Sequence, residues 1–461
     1  MTILGPIIAI GFIIIVATLL LKKFYPHAVL LFAGLAMLIL SMAMNFKMPT
    51  VLDSTGWSGF DLFRLIKESF AKTNAGVGLM IMAIGGFVAY IDKIGASDAL
   101  VRIAMKPLSL FKKYPYIATT AVLPIGQLLF VCIPSAAGLG LLLMASIFPI
   151  LLGLGVSRLT AVSTITACTA FGIGPASAIT ARAVSIAEVD SISYFVKDQL
   201  PVVLPLCIVL MITYYFVNRY YDKKESSPLK VKEDLKAAKE KNKEERVKAP
   251  NYYAIIPIMP LLLLIVFSEI FQLTPVPITL DTTTAMFISL FIALIFEFIR
   301  KRNLKEVLAS LSTFWNGMGN IFKTVVTLII AADIFAKGLI SLGFIDGLIS
   351  SSQNIGLGAI GISLVMVVMI FLASMLMGSG NASFFAFAPL VPKIAAKFGI
   401  KTTSMILPMN LAASMGRTVS PVAGVLIATS EIAGVSPLAI VKRNLIPLVV
   451  ALVFLLIYPM I

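Results

Sequence analysis

The sequence contains few charged residues, one histidine and three cysteines. Only 13% of its 461 residues are charged and 59% are hydrophobic, a balance that excludes a soluble globular protein of this length. The single histidine, His27, argues against a histidine-rich zinc site. The cysteines lie in apolar segments without paired spacing, so we interpret them as packing residues without a redox role.

The motifs of two enzyme classes are also absent. The chain has no Gly-x-x-x-x-Gly-Lys-Ser/Thr loop for nucleotide phosphates and no His-Glu-x-x-His motif of metalloproteases. We predict that the protein is not an enzyme and has no cofactor, apart from a coupling Na⁺ or H⁺. The net charge of +15 would favour a nucleic-acid partner in a soluble protein. Here the basic residues lie mostly between apolar runs, where they set membrane orientation, so we predict no nucleic-acid partner.

Many apolar runs reach the length of about 20 residues that a helix needs to cross a bilayer. The short alternating segments of an outer-membrane barrel are missing. We therefore predict an all-α polytopic membrane protein embedded in the lipid bilayer. A charged run at about 222–250 predicts a cytoplasmic linker, because it is rich in basic residues. The linker divides the chain into halves at 1–221 and 251–461.

Four interruptions of the apolar pattern carry most of the functional signal. We predict hairpins at about 116–155 and 356–396, and broken helices at about 159–188 and 402–433. Glycine costs about 1 kcal/mol inside a helix, and unpaired backbone in hydrocarbon costs more. Such breaks persist only where they are buried in protein or line a polar cavity. Because Ala382–Ala396 is short for a full crossing, the hairpins are predicted to re-enter the membrane.

The two halves repeat the same order of elements. Each contains two spans, an interfacial helix, a third span, a hairpin, a broken helix and a final span. The matched positions are Pro149 with Pro392, Pro175 with Pro421, Pro201 with Pro447 and Lys197 with Arg443. An odd number of crossings in each half predicts inverted-topology repeats, which are typical of secondary transporters. The larger basic clusters fall on one side of this topology; Lys393, Lys397 and Lys401 fall on the other.

Helix ends at the breaks are predicted to bind a small anion. Unpaired N–H groups and the positive end of the helix dipole favour negative charge. Arg417 is costly at membrane depth, and its guanidinium fits a carboxylate in two-point contact. The structural alternative is that Arg417 bonds loose backbone carbonyls. The predicted substrate-binding residues are Ser135, Thr169, Ser177, Ser379, Asn381, Ser414, Arg417, Thr418 and Ser420.

Glycines allow the backbone to turn at the breaks, and carbonyls exposed there favour a cation. The break glycines are Gly138, Gly172, Gly174, Gly378, Gly380 and Gly416. We predict a cation site near Ser135, Gly138, Gly378 and Asn381, although no metal ion is required by the sequence. Asp333 and Lys337 stand four residues apart and are predicted to pair with each other. The alternative for Asp333 is a role in proton coupling.

Four passages resemble the anaerobic C4-dicarboxylate carrier family of the DcuC type. They are Gly378–Phe387, Gly416–Val425, Ser135–Pro149 and Ser436–Arg443. The resemblance implies a bacterial inner-membrane homodimer of the ion transporter superfamily, with a scaffold domain and a transport domain that moves as an elevator. It also implies transport of succinate, fumarate or malate by cation symport, efflux or exchange. A transporter of another small carboxylate and a sodium/proton antiporter remain alternatives; the antiporter should need several buried carboxylates at the breaks.

Overall fold

The computed structural model describes residues 4–111, 113–225, 249–268, 270, 278–354 and 358–458. Within these ranges the only regular secondary structure is helical. Ten helical stretches of the described chain are long and apolar enough to cross a membrane. The prediction of an all-α polytopic protein is therefore confirmed. Residues 226–248, most of the predicted linker, lie outside the described residues.

The described part of the first half contains twelve α-helices. They are α1 (Leu4–Leu21), α2 (Pro26–Ala43), α3 (Ser58–Thr73), α4 (Leu79–Lys93), α5 (Ala96–Ala104), α6 (Pro115–Cys132), α7 (Ala136–Ser146), α8 (Phe148–Gly153), α9 (Arg158–Ala167), α10 (Ala178–Ala187), α11 (Ser191–Ser193) and α12 (Leu200–Glu225). A π-helical stretch joins α3 to α4 and another, Tyr194–Gln199, joins α11 to α12. A 3₁₀ helix, Lys106–Phe111, follows α5.

The described part of the second half contains another twelve helices. They are α13 (Met259–Val266), α14 (Thr282–Lys301), α15 (Leu304–Ser310), α16 (Ser312–Ile321), α17 (Thr327–Ser341), α18 (Phe344–Asn354), α19 (Gly358–Met377), α20 (Gly380–Phe387), α21 (Val391–Phe398), α22 (Thr402–Thr418), α23 (Gly424–Ala433) and α24 (Pro437–Ile457). A 3₁₀ helix, Asn251–Ile258, precedes α13, and Ala388–Leu390 forms another before α21. A π-helical stretch, Phe322–Val326, joins α16 to α17.

Several boundaries differ from the sequence prediction. Gly416 is one of the predicted break glycines, but α22 continues through Thr418, so the break begins later than predicted. Gly416 serves helix packing instead: a Cβ on it would lie 2.3 Å from the Phe371 carbonyl oxygen of α19. The predicted linker start is also wrong, since Asp222 lies within α12 and is buried.

Both predicted interfacial helices run directly into the span that follows them. Helical structure is continuous over Ser58–Lys93, and over Leu304–Ser341 it is interrupted only by a turn at Leu311. In the first stretch, Gly76 departs from helical geometry with φ −115° and ψ −112°, which kinks the chain. A π-helical insertion of this kind bends a helix without ending it.

Small residues allow the two halves of the chain to pack closely against each other. Helix α2 packs along α17, where a Cβ on Gly34 would lie 2.6 Å from the Phe335 nitrogen. Helix α4 packs along α16, where a Cβ on Gly85 would lie 2.1 Å from the Ile321 side chain. Helix α12 packs along α24. Close approach of helix backbones at glycine is a common way for membrane helices to associate.

The chain folds back at two of the breaks. Helix α6 contacts α8, and α19 contacts α21. A straight continuation would carry α8 and α21 far from these helices at about 1.5 Å per residue, so each pair forms a helical hairpin. The second arm of each hairpin contacts the broken helix of the other half: α7 contacts α23, and α20 contacts α10.

Candidate functional site

The four interruptions are named here by their residues. Break A (133–135) separates α6 from α7, and break B (168–177) separates α9 from α10. Break C (378–379) separates α19 from α20, and break D (419–423) separates α22 from α23.

Breaks A and C each place a serine at the start of the following helix. The Ser135 hydroxyl oxygen accepts the Gly138 N–H at 3.1 Å. The Ser379 hydroxyl oxygen accepts the Ala382 N–H at 3.2 Å. Both serines are therefore helix caps. Since a hydroxyl that accepts a bond keeps its own proton, each cap can still donate to a carboxylate.

Break B is held by two buried polar residues that the sequence analysis missed. The Gly174 N–H donates to Gln199 Oε1 at 2.9 Å, and Gln199 Nε2 donates to Thr180 Oγ1 at 2.9 Å. Thr180 Oγ1 in turn donates to the Gly172 carbonyl at 3.3 Å. Gly174 has φ +90°, a conformation that favours glycine. A glutamine at the start of an apolar span is the signal that could have predicted this anchor.

Arg417 joins the two broken helices. It lies in the last turn of α22, and its Nη2 donates to the Thr169 carbonyl in break B. Its guanidinium carbon lies 5.8 Å from the centre of the Phe130 ring. The carbonyl contact agrees with the structural alternative for this arginine. The Nε group, however, is buried without a hydrogen-bond partner among the described residues, so this N–H can donate to a further acceptor.

One face of α22 carries buried polar atoms that have no hydrogen bond of good geometry to a described residue. Asn410, Ser414 and Arg417 are spaced at i, i+4 and i+7, which places them on the same side of the helix. Asn410 and Ser414 are fully buried, and neither side chain forms a hydrogen bond of good geometry with a described residue. The buried Tyr194 hydroxyl lies close enough to the Asn410 side chain for a weak hydrogen bond, although neither group has a bond of good geometry with a described residue.

Such groups are rare in folded proteins because each one costs about 1–3 kcal/mol. We therefore interpret this face as functional. Asn410 and Tyr194 are not among the residues predicted from the sequence. The helical spacing from Asn410 to Arg417 is the signal that could have identified Asn410.

Breaks B, C and D meet at the end of α22. A Cβ on Gly172 would lie 2.5 Å from Ser414 Oγ and 3.6 Å from Ser177 Oγ. A Cβ on Gly380 would lie 2.8 Å from the Ala413 carbonyl oxygen. Close approach of this kind accounts for the two glycines.

The remaining contacts extend the cluster to the other breaks. A Cβ on Gly378 would lie 2.9 Å from the Ala423 nitrogen of break D. The last turn of α6, just before break A, contacts break B through Val131, since a Cβ on Gly174 would lie 2.7 Å from the valine side chain.

The other predicted residues have local roles or face outward. The Thr418 hydroxyl donates to the Ser414 carbonyl at 3.0 Å, and Ser420 Oγ accepts the Val422 N–H at 3.4 Å. Both residues are fully buried. Asn381 is partly exposed, and its side chain forms no hydrogen bond to the described residues.

The two parts of the predicted cation site border different elements. A Cβ on Gly138 would lie 2.8 Å from Ser135 Oγ and 3.7 Å from Asp92 Oδ2, whereas Gly378 borders break D. The Asp92 carboxylate therefore lies near break A, although no carboxylate was predicted at any of the breaks. In the described part of the chain, no group of three His, Cys, Asp or Glu residues could hold a metal ion. The cation site stays a prediction.

Asp333 pairs with Arg182 of α10, so the predicted pairing with Lys337 is wrong. Side-chain exposure is 9% for Arg182 and 20% for Asp333. Lys337 is partly buried and forms no ion pair with the described residues. An intrahelical pair at this spacing contributes only about 0.2–0.5 kcal/mol, and a nearby arginine from another helix displaces it.

Comparison with known proteins assigns the family. The model of the C4-dicarboxylate anaerobic carriers matches residues 4–461. The chain belongs to this family. The probable anaerobic C4-dicarboxylate transporter DcuC of Vibrio cholerae is 36% identical over 455 residues, covering 98% of this chain and 95% of that protein. The anaerobic C4-dicarboxylate transporter DcuC of Escherichia coli K12 is 34% identical over 455 residues, covering 98% of this chain and 95% of that protein.

Two solved transporter structures share the fold of this C4-dicarboxylate carrier family member. The YdaH transporter of Alcanivorax borkumensis superimposes with a TM-score of 0.60 at 12% identity, covering 95% of this chain and 98% of that one. MtrF of Neisseria gonorrhoeae superimposes with a TM-score of 0.62 at 13% identity, covering 94% and 95%. The family membership and the ten apolar helices establish a multi-pass transporter of the bacterial inner membrane and not an enzyme, as predicted.

Proposed function

We propose that this protein is a secondary transporter of C4-dicarboxylates such as succinate, fumarate and malate, and that it binds them where breaks B, C and D meet. The observation that carries the proposal is Arg417, which lies at this junction with an unpaired buried Nε group. A carboxylate would supply the acceptor that Nε lacks. The names of the relatives, which are C4-dicarboxylate transporters, support the substrate class.

The neighbouring groups suit the other end of a dicarboxylate. Ser379 of break C caps a helix start whose first N–H groups have no intrahelical partner, and Ser414 and Asn410 carry polar atoms without a good hydrogen bond to the described residues. These donors bind an anion without adding net charge, which limits the cost of an empty site inside the membrane. Apart from Arg417, the predicted substrate-binding residues are neutral.

We further propose that the halves 1–221 and 251–461 are inverted repeats, with a dimeric scaffold and a transport domain built from the hairpins and broken helices. The order of elements and the reciprocal contacts of α7 with α23 and of α20 with α10 support this arrangement. Movement of the transport domain as an elevator, driven by Na⁺ or H⁺ or by exchange, would then carry the substrate across the bilayer.

Uptake into proteoliposomes tests the proposal. Purified protein should accumulate labelled succinate, fumarate or malate under a sodium gradient, a proton gradient or an outward dicarboxylate gradient. Arg417→Ala should abolish uptake and Arg417→Lys should lower it strongly, because lysine cannot form the forked contact. Arg219→Ala is the matched control, since this arginine is exposed on α12. Unimpaired uptake by Arg417→Ala would remove Arg417 from the binding site.

The same liposomes separate the alternatives. A panel of monocarboxylates and amino-acid conjugates tests for another carboxylate substrate. Sodium movement coupled to protons in the absence of any carboxylate would favour the antiporter.

A further inference from the structure

Asn444 forms hydrogen bonds to three other helices. It lies in α24 and is fully buried. Its Nδ2 group donates to Thr166 Oγ1 of α9 at 3.0 Å and to the Thr418 carbonyl of α22 at 3.0 Å. Its Oδ1 atom accepts the Tyr214 hydroxyl of α12 at 2.9 Å. Both donor hydrogens of the amide are therefore used, and a single side chain contacts the ends of both broken helices.

The orientation of this amide follows from its partners. The Thr418 carbonyl can only accept a hydrogen bond, so the nitrogen of the amide must face it. The oxygen then faces Tyr214, which donates its hydroxyl proton. A rotated amide would place two acceptors against each other.

These bonds complete a circuit that includes Arg417. The guanidinium of Arg417 donates to the Thr169 carbonyl, and the Thr169 hydroxyl donates to the Thr166 carbonyl at 2.9 Å. Asn444 then connects Thr166 to Thr418, the residue that directly follows Arg417. The circuit fixes the backbone of Arg417 relative to the carbonyl that holds its guanidinium.

We propose that Asn444 is a positioning residue for Arg417: it holds the end of α22 against α9 so that the guanidinium keeps one arm on Thr169 and presents the other to substrate. This inference rests on the proposed function only for the identity of the substrate. Without Asn444, the bonds that connect Thr418 of α22 to Thr166 of α9 are lost. The bond from Arg417 to the Thr169 carbonyl would remain, but it would no longer hold the guanidinium in one orientation.

A double-mutant cycle on substrate binding tests the proposal. Asn444→Ala should raise the dissociation constant of succinate about tenfold, the effect expected when hydrogen bonds that orient a charged ligand group are lost. If Asn444 acts through Arg417, adding Asn444→Ala to Arg417→Lys should weaken binding by much less than tenfold. Independent, multiplying effects of the two substitutions would overturn the proposal.

A second measurement does not depend on the substrate. Phenylglyoxal modifies arginine side chains, and mass spectrometry of the peptide that contains Arg417 gives the rate at this site. The rate should rise severalfold in Asn444→Ala, because the guanidinium loses its fixed contact. An unchanged rate would overturn the positioning role even if the protein transports another compound. Failure of wild-type succinate uptake together with a raised rate would count against the substrate and support the positioning role.

Asn218→Ala is the matched control. Asn218 is also a buried asparagine that faces α9, through the Ser163 and Thr164 hydroxyls, but it has no bond to α22. Its loss should leave the modification rate of Arg417 unchanged. Thr166→Val removes only the α9 contact of Asn444 and provides a milder variant that should change both readouts in the same direction as Asn444→Ala. Equal acceleration in Asn218→Ala would indicate general loosening and overturn a specific role.

Discussion

Arg443 and Asp222 form an ion pair between the final helices of the two halves, with Nη1 and Oδ1 2.9 Å apart. Side-chain exposure is only 2% and 3%, so both charges are removed from water. Asp222 also accepts the hydroxyls of Ser157 at 2.7 Å and Thr160 at 2.9 Å. The ion pair and these hydrogen bonds therefore fix the positions of α12, α24 and the start of α9 relative to one another.

Breaking this pair from one side should destabilise the protein strongly. Asp222→Asn should lower the free energy of unfolding by about 3–5 kcal/mol, because it removes the negative charge that lies 2.9 Å from the buried Arg443 guanidinium. The double substitution Asp222→Leu with Arg443→Met should recover most of that loss, since apolar side chains need no partner. Denaturant unfolding in detergent measures both. A double variant no more stable than Asp222→Asn would contradict the argument. Lys197→Met is the control: this lysine is exposed, so its substitution should change the free energy of unfolding by less than about 0.5 kcal/mol.

Asp333 and Lys337 should respond in opposite ways to neutralisation. Asp333→Asn leaves Arg182 without its partner and should lower the free energy of unfolding by about 3 kcal/mol. Lys337→Met removes a partly buried charge that has no ion pair in the described structure, so stability should stay level or rise. Thermal unfolding of the two variants side by side is the measurement. A large loss in Lys337→Met would indicate that Asp333 depends on both cations.

Break B should not tolerate a side chain at Gly174. Gly174→Ala forces alanine into φ +90° and places its Cβ 2.7 Å from Val131. We expect a loss of about 1–3 kcal/mol in stability and a matching loss of uptake. Gly153→Ala in α8 is the control, because its Cβ would meet nothing within 4 Å. If both variants behaved alike, the contact between breaks A and B would not matter for transport.

Composition and glycine placement were sufficient to predict much of this architecture. Long apolar runs dictate spanning helices, and glycine and proline clusters within them located the breaks to within a few residues. The end of α22 was predicted too early, because Gly416 allows close packing on α19 and does not interrupt the helix. A sequence cannot distinguish these two uses of glycine without the neighbouring helix.

The partners of buried polar residues could not be predicted from the sequence. Asp333 has a nearby lysine in sequence, but its ion pair is with Arg182, 151 residues earlier. Lys197 and Arg443 occupy matched positions of the predicted repeat, yet the lysine is exposed and the arginine is buried against Asp222. Local spacing rules describe a helix in isolation, whereas these contacts depend on which helices the fold brings together.

Asn410 provides a case in which stability and transport should change in opposite directions. Its amide is fully buried and both polar atoms lack good hydrogen bonds to described residues. Asn410→Leu, which has a similar size, should therefore raise the free energy of unfolding of the substrate-free protein by about 1–3 kcal/mol. It should also lower dicarboxylate uptake, because the polar face of α22 would lose one of its three groups.

Asn444→Leu is the natural comparison for this prediction. Its amide has three partners, so the same substitution should destabilise the protein, leaving the Thr418 carbonyl and the Tyr214 hydroxyl unbonded. Thermal unfolding and dicarboxylate uptake, measured for both variants, test the prediction. If Asn410→Leu were both less stable and inactive, Asn410 would be a structural residue like Asn444, and the unpaired face of α22 would not be a binding surface.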